Sequence, residues 1–426
     1  MTAHRIRATG AAFLFLASTA VVSPAWAQSG SDSGGAQLRF DLGLGVDWKS
    51  NRTLAKSDPG ASTEAFVDLG FGLSSETRNT NLSFNLNGRL RGVDAPSSLD
   101  LSNGLINPSA ALKYRRIGAA SYLELSARVT QSDLSDNRLI FDEDDGSFTI
   151  VDGNATRLNS TVEARVGWNE DARVSYGAFA RYSDTSYSGG TATGVDGRRL
   201  SDAERVTVGG DVTFRLSHVA QLKTFLSYSN HTKSSVPDRE TWSLGNTLTL
   251  ARPTGDLSFS LDVTETENGT RTSAEIGRSY IMPRFTLSGQ VGATNETSGN
   301  TVLTGGLGIE YPLPHGVVVV GLSRYVSSSN NEDEERLNTE ITLGYKHALS
   351  KLSNLNFDAL WAEAKDTSTD KSFKDASFGV SYTRALTQDW NLNLGVRHRY
   401  SDDTGEGKIE SNEIFITMRR SYLTRF

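Results

Sequence analysis

Cysteine is absent from the 426 residues, which excludes disulfides, zinc–thiolate sites and thiol nucleophiles. A chain without thiols also suits passage, unfolded, through an oxidising compartment. Long hydrophobic runs are missing too. After Val22 no stretch approaches the roughly 20 apolar residues that a spanning helix needs. A chain of this kind could enter a membrane only as a closed sheet. Helical periodicity is missing throughout, and so are a P-loop, a GxGxxG turn after a strand and an HExxH pair. Positive charge is not in excess. The formal net charge is -7, and loss of Arg5 and Arg7 with a leader would make the chain more acidic still. That balance argues against nucleic acid as a partner.

What is present begins with an export signal. Arg5 and Arg7 form a positive n-region, Ala11 to Val22 an apolar h-region, and Ala25-Trp26-Ala27 an A-x-A cleavage site before Gln28. The expected organisation is a signal peptide over 1–27, a short Ser/Gly-rich periplasmic lead over 28–37 and a barrel over 38–426. From Leu38 onward apolar and polar residues alternate in pieces of roughly ten. Leu38, Phe40, Leu42, Leu44, Val46 and Trp48 interleave with Arg39, Asp41, Gly43, Gly45 and Asp47, which is the period of a strand. The same pattern recurs to the C-terminus, where Ile414, Ile416, Met418, Tyr422 and Phe426 share one parity. With only 37% hydrophobic residues the composition could pass for soluble, but alternate positions alone face lipid in a barrel.

Connections alternate between compact and long. Compact ones lie near 75–79, 115–119, 169–171 and 217–220, long polar ones near 49–62, 94–103, 132–155, 184–203, 231–240 and 265–271. This predicts an all-β, antiparallel up-and-down transmembrane barrel with short periplasmic turns and longer extracellular loops. The count is about 20 strands, or 16–18 if the weakly patterned Ser273–Ile281 and the uninterrupted Val317–Val320 are not strands. Arg181-Tyr182-Ser183-Asp184, Ser227-Tyr228-Ser229-Asn230 and Arg399-Tyr400-Ser401-Asp402 repeat an aromatic girdle position, with Arg324-Tyr325 as a looser copy.

Charges on the opposite parity would line the lumen: Arg39, Asp41, Asp47, Arg89, Arg91, Glu124, Arg128, Glu163, Arg165, Arg173, Arg181, Arg205, Asp211, Arg215, Glu340, Lys346, Arg397 and Arg399. Mixed charge of this kind holds water and sets ion preference, whereas full pairing would plug the interior. Near 20 strands the width exceeds what side chains alone fill. The 132–155 loop is the longest and a candidate constriction. Acidic runs at 142–145 and 332–335 read as solvated loop charge, with cation bridging to lipopolysaccharide as the functional alternative. Phe141 occupies the first ligand position of the nearest EF-hand match, which rules calcium out there. His231 beside Ser229 is the one external Ser/His pair worth naming, and it lacks an orienting third group. No enzyme, cofactor or metal site is expected.

Asp47-Trp48-Lys49-Ser50-Asn51 after the first strand and Phe71-Gly72-Leu73-Ser74-Ser75-Glu76-Thr77-Arg78 at the first turn resemble the outer-membrane β-barrel porins of alphaproteobacteria, some of which are encoded beside exopolysaccharide export genes. The likeness runs along the whole mature chain and implies no catalytic residue. The end Tyr422-Leu423-Thr424-Arg425-Phe426 is similar to the signal read by the barrel-assembly machinery, though Thr424 stands where a larger apolar residue is usual. The expected function is passage of hydrophilic solutes across a Gram-negative outer membrane. The alternatives are a polysaccharide-export component and a plugged structural barrel. Expected partners are outer-membrane lipid and lipopolysaccharide, periplasmic chaperones, the assembly machinery and a further copy of the chain.

Overall fold

The computed structural model describes residues 35–426 except 55–58, 98, 100, 102, 136–138, 142–147, 151, 194–198, 234–235, 329–334, 368–370 and 404–406. Twenty antiparallel strands form one closed sheet. They are β1 (Gly35–Lys49), β2 (Ser62–Glu76), β3 (Thr80–Asp94), β4 (Gly104–Ile117), β5 (Ser121–Asp133), β6 (Thr156–Trp168), β7 (Val174–Ser188), β8 (Ala203–Arg215), β9 (Ala220–Lys233) and β10 (Val236–Arg252). The second half comprises β11 (Gly255–Thr266), β12 (Gly269–Met282), β13 (Phe285–Asn295), β14 (Thr301–Leu313), β15 (Gly316–Ser328), β16 (Glu335–Ser350), β17 (Ser353–Asp366), β18 (Ser372–Ala385), β19 (Trp390–Asp403) and β20 (Gly407–Arg425). Each strand pairs with its sequence neighbours. The ring shuts by β1 against β20, in register from Gln37↔Arg425 to Lys49↔Glu413. Closure leaves no edge of unpaired backbone groups, the condition for a sheet to sit in hydrocarbon.

The expected count of about twenty is met, and both doubtful segments are strands. Along β15, Val318 and Val320 fall on the face of Leu343 and Tyr345, while Val317 and Val319 fall on the opposite one. Three expectations need correction. The first described residues, 35–37, already belong to β1, so the strand reaches into the 28–37 lead. The connections at 231–240 and 265–271 are tight, because β9 reaches Lys233 before β10 starts at Val236 and Thr266 is followed by β12 at Gly269. Pairing continues there because polar strand residues keep their ladder partners above the apolar zone. Finally, Tyr325 is no copy of the girdle: it stands opposite Asn338 on the inward face.

Two seams interrupt the wall. The β4–β5 ladder stops at Ser109↔Thr130, beyond which Gly104–Ile106 pair with β3 and Gln131–Asp133 with β6. The β14–β15 ladder stops at Gly305↔Arg324. Beyond it Thr301–Thr304 pair with β13, and Tyr325–Ser328 with β16. Gly305 has φ +154°, a conformation that L side chains rarely adopt, and a Cβ there would meet the Gln290 carbonyl oxygen at 2.5 Å. Glycine is what lets the strand part from its neighbour.

Large apolar side chains are exposed in rows: Phe40, Leu44 and Val46 on β1, Val206 and Val208 on β8, Val396 on β19, and Ile414 and Ile416 on β20. Polar and charged residues are buried. This is the inverse of a water-soluble core. Aromatic rings mark both limits of the apolar zone. Trp48, Tyr182 and Trp242 stand at the loop end, with the Tyr228 ring tilted against Trp242 at 4.8 Å between centres. Trp168, Tyr176, Tyr311 and Tyr422 stand at the turn end. All strands but β13 run 12 to 19 residues and exceed the roughly 9–11 needed to cross a bilayer, so their ends project beyond it.

Candidate functional site in the barrel lumen

Strand pairing fixes which side chains share a face. Opposite the apolar rows, the inward face carries Arg39, Asp41 and Asp47 of β1, Arg89 and Arg91 of β3, and Glu124 and Arg128 of β5. It also carries Glu163 and Arg165 of β6, Arg181 of β7, and Arg205, Asp211 and Arg215 of β8. On the far side it holds Glu340 and Lys346 of β16 and Arg397 and Arg399 of β19. Arg173 departs from this set. It lies in the exposed 169–173 turn, and its carbonyl accepts from the Arg215 amide. Arg215 itself caps that turn, donating from Nη1 to the Asp171 carbonyl at 2.9 Å and from Nη2 to that of Glu170. These two arginines serve the rim rather than the middle of the wall.

The tightest cluster lies at the loop end of β1–β3. The chain after β1 folds inward, so that Asn51, Arg52 and Leu54 are buried. Arg52, 1% exposed, donates from Nη2 to Asp47 Oδ1 at 2.6 Å, from Nη1 to Glu64 Oε2 at 2.8 Å and from Nε to Ser62 Oγ at 3.0 Å. Glu64 is also 1% exposed and takes Arg89 at 3.4 Å on its other oxygen. Arg89 grips Asp68 with two donors, at 2.7 and 3.2 Å, and lies 3.8 Å from the centre of the Phe66 ring. Arg91 reaches Asp133 at 2.7 Å. Phe66 faces inward too and its ring reaches over Gly45, where a Cβ would collide with it. A fork-shaped guanidinium among several carboxylates satisfies both charge and donor geometry, which is why arginine rather than lysine holds this position.

The first loop thus packs buried side chains against the inner wall at the loop end. Residues 136–138, 142–147 and 151 of the 132–155 candidate constriction lie outside the described residues; of its ends, Leu134 and Ala155 form a small core with Ala192 and Leu200 of the next loop, covered by Tyr187. Residues 142–145 and 332–334 of the acidic runs lie outside the described residues. Glu335 does not float in solvent. It is buried, pairs with Arg271 at 3.4 Å and accepts from the Thr297 amide at 2.8 Å. Beside it, burial pushes the Glu296 carboxyl above the usual range, and the charge of Glu335 adds to the shift.

Charge is unevenly divided round the ring. β4–β10 present Lys113, Arg115, Arg128, Arg157, Arg165, Arg181, Arg205, Arg215, Lys223, Lys233 and Arg239 inward, against Glu124, Glu163 and Asp211. β11–β18 present Asp256, Asp262, Glu275, Glu310, Glu340, Asp358, Asp366 and Asp375, against Arg271, Arg336 and Lys346. Among the described residues no group of three His, Asp or Glu is placed to hold a metal ion. His231, the histidine beside Ser229, faces inward opposite Arg205 and Arg239.

Sequence reading missed Arg52, Glu64, Phe66 and Asp68. Glu64 and Asp68 share the parity of Asp47 and could have been found from it. Arg52 lies past the strand, and nothing in the alternation brings a loop residue inside. The signal residues Ala25 and Ala27 lie outside the described residues. Tyr422 faces outward near the turn end, and the Phe426 amide donates to the Ala36 carbonyl at 2.9 Å.

No protein-family model and no curated protein matches the chain. Among solved structures it is similar to a mutant of the ferric enterobactin receptor PfeA from Pseudomonas aeruginosa in complex with enterobactin. There the TM-score is 0.53 at 12% identity, covering 92% of this chain and 82% of that one. It is likewise similar to the siderophore receptor PirA from Acinetobacter baumannii, with TM-score 0.51 at 10% identity over 92% and 81%. At these identities the likeness is one of fold: a large closed β-barrel.

Proposed function

We propose that this chain is an outer-membrane channel that passes hydrophilic solutes through its lumen. The observation that carries the reading is the split between the two faces of every strand, exposed aliphatic rows bounded by aromatic rings outside and charge of both signs inside. Such an exterior is stable only against hydrocarbon, and such an interior only against water. Export would use the 1–27 leader, so the mature chain starts at Gln28. Insertion would use the assembly machinery through the strand ending at Phe426, and the chain needs no catalytic group or cofactor. The test is single-channel recording of the refolded protein in a planar bilayer. Discrete conductance steps are expected, and correctly folded protein that gives none removes the reading.

A second reading has its own support. The buried Arg52–Asp47–Glu64 cluster fastens the first loop to the inner wall at the loop end, as expected of an export or structural barrel that stays shut until something opens it. Conductance appearing only in an Arg52→Ala variant would favour it.

A further inference from the structure

The two seams of the wall lie opposite each other, ten strands apart in a ring of twenty. Beyond each, the facing strands exchange no ladder bonds, and a side chain ties them instead. At β4–β5 the Asp133 amide donates to Asn107 Oδ1 at 2.8 Å, while the Asp133 carboxylate takes the inward Arg91 at 2.7 Å. At β14–β15 the Leu303 carbonyl accepts from Arg324 Nε at 3.0 Å. The second tie is an exposed cation.

Strand parity puts Arg324 on the outer surface. It follows Val318, Val320 and Leu322 along the outward row of β15 and stands opposite Thr339 of β16. In Arg181-Tyr182 and Arg399-Tyr400 the arginine is inward and the tyrosine joins the girdle; in Arg324-Tyr325 the two have changed places. The ladders give its depth. Tyr400 leads through Ala376, Trp361 and Ile341 to Leu322, and Arg324 is the next outward residue toward the loops. An arginine on the lipid face is costly at the midplane and nearly free at the interface, so this is a depth at which one can stand.

Its surroundings offer it no anion. Among the described residues only its Nε donates, to Leu303. Along its row of the outward face lie Gly305, Val291 and Ile276 on one side. On the other come Thr339 and then Glu363, which is already 3.6 Å from Lys374. The adjoining surface is aliphatic. Leu303 is 65% exposed, more than any other large aliphatic side chain described, and Leu307 and Leu322 stand one pleat nearer the midplane.

We propose that the β14–β15 seam is a docking site for a phosphorylated glycolipid of the outer leaflet, its phosphate on the Arg324 Nη groups and its acyl chains along Leu303, Leu307 and Leu322. A guanidinium fork matches two phosphate oxygens, where a lysine would offer a point charge. Headgroup donors and acceptors then meet strand groups that β14 and β15 no longer exchange, so the lipid completes the wall. The inference needs the barrel to sit in the membrane with its loops outward; it does not need the lumen to conduct.

Native mass spectrometry of the refolded full chain in detergent tests this, with bisphosphorylated lipid A, its dephosphorylated form and inorganic phosphate as probes. The bisphosphorylated lipid should be retained about tenfold better than the dephosphorylated one. Arg324→Gln should abolish that preference, and Arg324→Lys should keep part of it. Arg278→Gln removes an outward arginine at the turn end and should leave the preference unchanged. Inorganic phosphate in excess should not displace the lipid. Equal retention of both lipids by the wild-type chain overturns the proposal, and so does an unaltered preference in Arg324→Gln of native heat-modifiable mobility. Displacement by inorganic phosphate would mark a free-anion site and overturn the lipid assignment. Should Arg324→Gln fail to fold, Arg324→Lys and the two lipids on the wild-type chain still decide. No conductance is read, so a silent lumen would sink the channel reading and leave this one standing.

Discussion

Two ion pairs on β1 and its neighbours contain the same groups and behave differently. At the turn end Arg39 reaches Asp41 at 2.9 Å, with side chains 51% and 33% exposed. At the loop end Arg52 reaches Asp47 at 2.6 Å, and almost nothing of either is exposed. Water decides the difference. The first pair is screened and contributes up to about 1 kcal/mol. The second has given up its hydration, so neither partner can be removed without stranding a buried charge. One wall thus has a wet, forgiving end and a dry, interlocked one, and mobility of the lumen lining should follow the same gradient.

The comparison breaks most visibly if Arg52→Ala proves mild. It should destabilise the folded barrel by about 3–5 kcal/mol, since Asp47 and Glu64 remain buried without that donor. Denaturant-induced loss of heat-modifiable mobility in lipid measures it. A control on the other face, Val396→Arg, should cost about 2–4 kcal/mol if the residue lies near the bilayer midplane. The inward neighbour change Asn393→Asp should cost far less, and equal costs would refute the assignment of faces. Phe66→Ala should lose about 2–4 kcal/mol, because the ring both fills the space above Gly45 and supports Arg89. A smaller effect, read from pH, is expected at Glu296. Its folded carboxyl titrates above the unfolded one, so its contribution is most favourable below the unfolded value and is lost as pH rises through the folded value. Glu296→Gln should therefore raise the melting temperature at neutral pH and flatten its dependence between mildly acidic and neutral conditions. The least expected effect is Arg39→Ala, within about 1 kcal/mol by the same unfolding assay.

Much of this molecule was legible because a barrel wall has a period of exactly two residues and its chemistry alternates with it. The apolar parity of β1 predicted its outward face, and the charges between fall on the opposite face of their strands, while Arg173 lies in a turn and Arg215 caps it. Loop behaviour was not legible. Arg52 is a loop residue buried against Asp47, Glu64 and Ser62, where alternation places nothing, and Glu335 ends an acidic run yet is packed against Arg271. Those contacts depend on how strands curve the ends of the barrel toward each other, which no local pattern records. Tyr325 failed for a related reason: the motif around it matches the girdle by residue type but stands one position out of phase.

The pairing of β1 with β20 has a consequence for how the chain comes to exist. Its partners, such as Gln37 and Arg425, sit at opposite ends of the polypeptide, so the ring cannot shut until the last residues have been made. Every other ladder joins neighbours and can form early, yet each intermediate sheet carries two raw margins and an oily face. Closure is the one event that removes both margins together, so a helper that shields margins has most to contribute before it.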